Sequence, residues 1–431
     1  MSVRFSQREV SSARVMVVGC GALGNEVLKN LVLMGVRHLV AVDFDKVEIN
    51  NLTRSVLFTK EDADRQRLKV TVIAERLRQL NPEVEVLPVY GDIAYDVGLG
   101  LFRQMDVVIS CVDSRWARFC INRYCMRAGI PWVDGGIDGL EGTARVFAPG
   151  ENCYACHLGP EGLKDLARRM PCSGVIRRLE QAGSAPTTAV IASVIGAVEV
   201  QEALKVVTGR EMTLCGRMFY YEGESMTVRV ARFQGYDDDC PEHEQWLPVR
   251  QTTVSETAAV GDALRQWEEE FRLIDKETNR QIDKQTFRQI DKETNIDKET
   301  NRLIDKGTNR QIDKETNIDK GTNRQTGKEI GSRGVTLTLM NDCFVDYVSR
   351  RDNDQRTTVM LPGRRVGDFV RRSAELGGLP LSHFYQHEYR HVDAAFPYPQ
   401  LTLAQLGIPA RDVVRVTAGG KEAFFELRSE K

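Results

Sequence analysis

Short apolar runs alternate with longer stretches in which apolar residues recur every three or four positions over residues 1–248. The segments RVMVVGCG (14–21), HLVAVDFD (38–45), VEVLPVYG (84–91) and DVVISCVD (106–113) read as buried strands. Between them, EVLKNLVLMG (26–35) and LKVTVIAERLRQL (68–80) carry the helical period. Strand–helix alternation of this kind predicts an α/β fold with a Rossmann-like, mainly parallel sheet.

The pattern then changes. Residues 249–271 contain a helix-like segment, VGDALRQWEEEF, read either as part of the C-terminal domain or as a connector. Residues 272–331 repeat the unit RQIDKETN with small changes and shortened copies. One Ile per unit offers too little apolar surface to offset the ordering entropy, so this stretch is expected to be a disordered linker. A charged, partly helical spacer is the rival reading. Residues 332–431 read as a small α+β domain. VTLTLMN and FVDYVSR are its strands, RRVGDFVRRSAEL a helix, and DVVRVTAGG with EAFFELR a closing hairpin. Because the helix-like segment ends where the repeats begin, the repeats are a candidate insertion into that domain.

Charge and composition narrow the function. With 59 basic and 61 acidic side chains, the 431-residue chain has no global basic bias, which argues against nucleic acid as a partner. The longest apolar stretch, Ala189 to Val198, is about half of a bilayer span before Glu199 interrupts it, which argues against a membrane. No signal-peptide layout opens the sequence, so a cytoplasmic protein is expected. Ten cysteines are too few for a disulfide scaffold at this length.

Two constellations carry chemistry. Gly19, Gly21 and Gly24 follow a strand and open a helix, the arrangement that lets backbone approach a phosphate at a helix N-terminus. Asp43 ends the next strand, nineteen residues after Gly24, where an acid can meet a ribose. Cys153-x-x-Cys156 and Cys240-x-x-His243, 83 residues apart, provide four donors suited to a closed tetrahedral Zn2+ site. Such a site would tie the end of this fold to its sheet.

The stretch Asp43-Phe44-Asp45-Lys46-Val47-Glu48-Ile49-Asn50-Asn51-Leu52-Thr53-Arg54 resembles the DxDxVxxxNLxR signature of the E1-like (ThiF/MoeB/ubiquitin-activating) adenylating family. Lys69, the Cys111-Val112-Asp113 strand end and GLEGTARVFAPGENCYAC extend the resemblance over about residues 4–245. It implies ATP and Mg2+ as cofactors. Arg54 and Lys69 would hold the phosphates, Asn51 would lie beside them, Asp113 would organise Mg2+, and Asp43 or Asp45 would accept the ribose hydroxyls. It further implies a homodimer and, at the two ligand pairs, a structural zinc. A trans-acting arginine of the family falls at Gln7 here, leaving Arg8 or Arg4 as replacements.

Ubiquitin-type activators pass the adenylated modifier to a cysteine. Cys172 lies in the crossover region beside Arg168, Arg169, Arg177 and Arg178, which favour a thiolate. Ser184-Ala185-Pro186-Thr187-Thr188 resembles the segment after the catalytic cysteine of one such activator, although equal spacing there falls on Gln181. Pro399 to Pro409 with DVVRVTAGG resembles the end of a β-grasp, ubiquitin-like fold, implying a docking domain for an E2-like conjugating enzyme. The expected function is therefore ATP-dependent activation of a ubiquitin-like protein, thioester formation on Cys172, and transfer to that partner. Three alternatives remain. One is an activator of a sulfur-carrier protein in thiamine or molybdopterin synthesis. The second is a non-catalytic scaffold, and the third a dehydrogenase, which would leave Arg54, Lys69 and the ligand pairs unexplained.

Overall fold

A computed structural model describes residues 5–156, 158–159, 161–162, 187–232, 236–274, 334–338, 344–349, 358–361, 384–389 and 391–429. Residues 275–331 of the octapeptide repeat, the helix expected at 364–376, Arg4, Gln181 and Cys172 with its four arginines lie outside the described residues, while 272–274, at the start of the repeat, are helical.

An eight-stranded sheet in the order β3-β2-β1-β4-β5-β6-β7-β8 organises the N-terminal region. The strands β1 (Arg14–Val18), β2 (His38–Asp43), β3 (Glu85–Tyr90), β4 (Val107–Ser110) and β5 (Trp132–Asp138) are parallel. They are joined through α2 (Ala22–Met34), α4 (Lys69–Leu80) and α6 (Arg115–Ala128), counting α1 (Gln7–Ser12), α3 (Lys60–Asp64) and α5 (Leu99–Phe102) in chain order. The antiparallel strands β6 (Glu141–Phe147), β7 (Arg217–Glu222) and β8 (Thr227–Arg232) complete it. Buried Val and Ile on both faces of β1 and β4 make the central strands near-continuous apolar runs, as a sheet covered on both sides requires. Helix α7 (Ala189–Val207) packs on α2 through Gly196, where a Cβ would lie 3.1 Å from the Cβ of Glu26. Glu199, which interrupts the apolar run of this helix, is fully buried. Among the described residues, no helix is long and apolar enough to cross a membrane.

The C-terminal region forms a five-stranded sheet in the order β14-β10-β15-β16-β9. Its members are β9 (Val249–Ser255), β10 (Thr336–Thr338), β14 (His391–Val392), β15 (Val413–Ala418) and β16 (Lys421–Arg428). The strands β11 (Phe344–Ser349), β12 (Thr358–Leu361) and β13 (Phe384–Tyr389) form a separate three-stranded sheet in the order β12-β11-β13. Helix α8 (260–274) covers the five-stranded sheet, with Trp267 and Phe271 against Phe425. Elements before the repeats therefore pack with strands after them. The segment 249–255 is a strand rather than part of a helix, and its parallel partner is the last strand of the chain. Its alternation is blunt because only Thr252, Val254 and Ser255 are buried, and such a half-covered edge strand leaves little signal in the sequence.

The two sheets share a core. Val413 and Phe424 pack in one cluster with Phe102, Tyr124 and Trp246. Polar contacts fix the seam: Asp412 Oδ1 accepts from Leu99 N at 2.8 Å, Gly100 N donates to the Arg411 carbonyl at 2.9 Å, and Arg103 pairs with Glu426 at 2.5 Å.

Candidate functional site

Helix α2 opens at the carboxyl end of β1 with Gly21 as its N-cap and no side-chain cap, so its first N–H groups are left for a ligand. The three glycines have different reasons to be glycine. Gly19 has φ +92°, and a Cβ there would sit 2.6 Å from the Cys111 carbonyl oxygen. At Gly24 a Cβ would collide with the Gly19 carbonyl at 1.9 Å. A Cβ on Gly21 would meet nothing within 4 Å, so the turn is open there. Two glycines hold the turn tight and the third faces free space.

The turn is braced from both sides. Asp43 Oδ2 accepts from Cys20 N and Oδ1 from Asp45 N, each at 2.7 Å. Burial raises the Asp43 pKa, while Lys69 and these two N–H donors oppose the shift. Asp43 is thus committed to the backbone, and Asp45 is the acid left more exposed. Asn25 was not singled out from sequence. It is fully buried and donates to the Cys20 and Gly21 carbonyls at 2.9 Å, while Leu57 N donates to its Oδ1 at 2.9 Å. It ties the glycine turn to the segment that carries Arg54, and only its helical spacing to the turn hints at that job.

Asn51 and Arg54 come from the short 3-10 turn Ile49–Thr53. Asn51 is buried, its Oδ1 accepting from Glu48 N at 3.0 Å. Arg54 donates to the Asn50 carbonyl at 2.9 Å and has no carboxylate partner among the described residues. Lys69, buried at the start of α4, donates to Asp45 at 2.8 Å. Burial alone would lower its pKa, but the negative charge of Asp43, followed by the contact with Asp45, outweighs this and raises it, so it stays a cation. Asp113 is exposed just before the Ser114 cap of α6 and makes no ion pair among the described residues. Sequence-predicted residues thus gather at the carboxyl edge of the parallel strands, where ligands of such sheets bind.

Two N-terminal positions separate in role. Gln7 Nε2 donates to the Met34 carbonyl at 3.4 Å and packs on Gly35, capping α2, whereas Arg8 is exposed. Cys20, Cys120 and Cys125 are core residues; Cys111 is partly buried, and burial raises the thiols of Cys20, Cys111 and Cys125.

At the far end of α6, Cys153, Cys156, Cys240 and His243 converge, with all four donor atoms within 4.8 Å of one another. Cys153 Sγ lies 3.7 Å from both Cys156 Sγ and Cys240 Sγ, and Cys156 Sγ lies 3.2 Å from His243 Nε2. A zinc–sulfur bond of about 2.3 Å gives a tetrahedral edge of about 3.8 Å, so this spacing fits a metal ion held by all four. The hydrogen bond between Cys153 and Cys240 lowers the first thiol and raises the second, so of this pair Cys153 gives up its proton first. Tyr236 stacks on the His243 ring at 4.2 Å. Between the ligands, Glu242 is buried against Arg123 in a two-pronged ion pair of 2.9 and 3.0 Å.

The fold and these residues define a Rossmann-type α/β protein with an open glycine turn at the strand ends and a closed Cys3His cluster that could hold a metal. The profile of the ThiF family matches residues 3–242, and the chain belongs to that family. It is 32% identical over 235 residues to the "Adenylyltransferase and sulfurtransferase MOCS3-1" of Zea mays, covering 54% of this chain and 47% of that protein. It is likewise 32% identical over 235 residues to the "SAMP-activating enzyme E1" of Haloferax volcanii, covering 54% and 82%. With the "Sulfur carrier protein adenylyltransferase" of Thermus thermophilus it shares 32% over 229 residues, covering 52% and 79%. The chain spans about half the length of the first of these relatives. A solved structure of E. coli MccB with ATP aligns at a TM-score of 0.46 and 22% identity, over 55% of this chain and 68% of that one.

Proposed function

We propose that the chain adenylates the C-terminal carboxylate of a ubiquitin-like protein, passes it to Cys172 as a thioester, and delivers it to a conjugating partner. The observation that carries the first step is the family match over residues 3–242, which spans the glycine turn, Arg54, Lys69 and Asp113. A carboxylate oxygen attacks the α-phosphorus of ATP, the bond to the β-phosphate oxygen breaks, and pyrophosphate leaves. No general base is required, because the nucleophile is already ionised; position and positive charge do the work. In this reading Arg54, Lys69 and the first N–H groups of α2 hold the phosphates, Asn51 lies beside them, and Asp45 meets the ribose. Asp113 holds Mg2+, which screens the phosphoryl charge. The Cys3His cluster holds a structural Zn2+, and the working unit is a homodimer.

A second reading, activation of a sulfur carrier, draws support from the relatives, two of which are named for sulfur chemistry. Both readings require pyrophosphate exchange into ATP that depends on a carrier with a free C-terminus. The absence of such exchange with every ubiquitin-like and sulfur-carrier protein of the source genome would exclude both. The later step separates them. In the first reading Cys172→Ala keeps exchange but loses a reductant-sensitive adduct of enzyme and modifier on a non-reducing gel. An adduct that survives in Cys172→Ala moves the thioester to another cysteine. A wild-type product in which the carrier ends as a thiocarboxylate favours the second reading.

A further inference from the structure

A second charged cluster adjoins the nucleotide edge and has no part in the functions assigned above. Asp134 on β5 is fully buried and accepts from Arg118 Nε at 2.7 Å, from Arg145 Nη2 at 2.6 Å and from Ser110 Oγ at 3.2 Å. Arg118 Nη2 donates to the Gly135 carbonyl at 3.0 Å. With Nε and Nη2 both tied down, the guanidinium is fixed in plane, and Nη1 has no partner among the described residues. Arg118 stands one helical turn beyond the Ser114 cap, next to Asp113, and Asp134 pairs in register with Ser110, the last residue of β4. The cluster therefore lies beside the strand ends where Asp113 emerges.

Its charge does not balance. Two guanidinium groups meet one carboxylate, and burial, then Asp134, raise the pKa of the neighbouring buried acid, Glu199. A buried ion pair seldom repays its desolvation, and a buried cluster with a surplus cation does so less still unless an anion completes it. Beside Arg118 the β5 backbone is bare: a Cβ on Gly136 would lie 3.6 Å from Arg118 Nη2 and 3.0 Å from Thr143 Oγ1.

From this geometry, and resting on the adenylation reading, we propose that Asp134 is a positioning residue. Braced by Arg145 and Ser110, it aims Arg118 at the carboxyl group being activated, so that Nη1 bonds the oxygen that becomes the acyl carbonyl of the adenylate. Arg118 would thus neutralise the incoming carboxylate while Arg54 and Lys69 serve the phosphates.

The test uses the full chain and two probes, Mg·ATP and 5′-O-(N-glycylsulfamoyl)adenosine, which presents the acyl oxygen without needing a carrier. Asp134→Asn keeps size and polarity but releases the guanidinium. Calorimetry should show ATP affinity within about twofold of wild type and acyl-probe affinity lower by about tenfold, the loss of one charge-assisted hydrogen bond. Arg118→Lys, which keeps the positive charge but not the planar fork, should give the same split and serves if Asp134→Asn folds poorly. Equal losses for both probes, or no loss for either, would make the cluster a structural brace and overturn the proposal. Wild-type protein that binds ATP but not the acyl probe also overturns it. Wild-type protein that binds neither probe removes the adenylation reading itself.

Discussion

Helix α6 joins two regions built on opposite principles. At its N-terminal end Asp113 is exposed and, among the described residues, unpaired; Arg54 likewise has no carboxylate partner among them, and Gly21 faces open space. At its C-terminal end every group is closed in. Arg123 grips Glu242 between Cys240 and His243, Arg127 lies over the Trp246 ring at 4.5 Å, and Trp246 stacks on Phe424 at 5.1 Å. Burial, followed by repulsion from Arg123, lowers the Arg127 pKa to about 10. Unpaired charge in solvent costs little and stays available for a ligand that comes and goes. Charge that is paired, stacked and dry holds parts together and would be expensive to expose. In the proposed function the first end serves turnover and the second assembly, and the second also seats the C-terminal sheet.

The strongest way to break this contrast is at the metal cluster. Purified protein should carry about one zinc per chain by elemental analysis, and Cys240→Ser should lose metal and soluble yield together, because binding energy at such sites is folding energy, about 10 kcal/mol or more. Metal-free protein of undiminished stability would sink this part of the comparison. Asp113→Ala should do the opposite: carrier-dependent pyrophosphate exchange should fall by about a hundredfold or more, with the melting temperature unchanged. If the variant melts early, Asp113 belongs to the architecture and not to the chemistry.

Trp246→Ala tests the seat of the C-terminal sheet. Removing a buried indole from between Arg127 and Phe424 should cost about 3–5 kcal/mol in denaturant unfolding while leaving ATP affinity alone. The smallest effect concerns Asp412, which burial raises from 3.8 to about 7 against the opposing pull of its backbone donors and Arg127. A carboxyl whose folded pKa lies above its unfolded value favours the folded state most below about pH 4, and that advantage is lost as pH rises through about 7. Wild-type stability should therefore decline over that window by up to a few kcal/mol, and Asp412→Asn should flatten the decline. Parallel pH profiles for the two proteins would show that the seam does not feel this charge.

The central parallel strands were legible because they are buried on both faces and are spelled by Val and Ile, and the helices carry a clean period. The boundary at Lys69 as the first residue of α4 is one such case. VEVLPVYG, read as a buried strand, is instead the mostly exposed edge strand β3. That Cys153, Cys156, Cys240 and His243 belong together was legible because donor type and local spacing mark the two pairs. The edge strand β9 was not, since it buries few residues and leaves a weak alternation. Asp134, Arg118 and Arg145 escaped notice for another reason. They lie on β5, α6 and β6, and a single acid in the run WVDGG has no local partner to announce it.

By itself, then, the sequence determined what short-range rules can encode: periodicity, the glycines a turn needs, and pairs of ligands a few residues apart. Tertiary structure alone decided which of two neighbouring acids braces the turn and which faces outward, since Asp43 and Asp45 differ only in what folds against them. It also decided that a strand before the repeats pairs with the last strand of the chain, and that surplus buried charge collects beside Asp113. The reason is physical. Burial, hydrogen-bond satisfaction and charge balance belong to groups brought together from distant points of the chain, and no local pattern carries them.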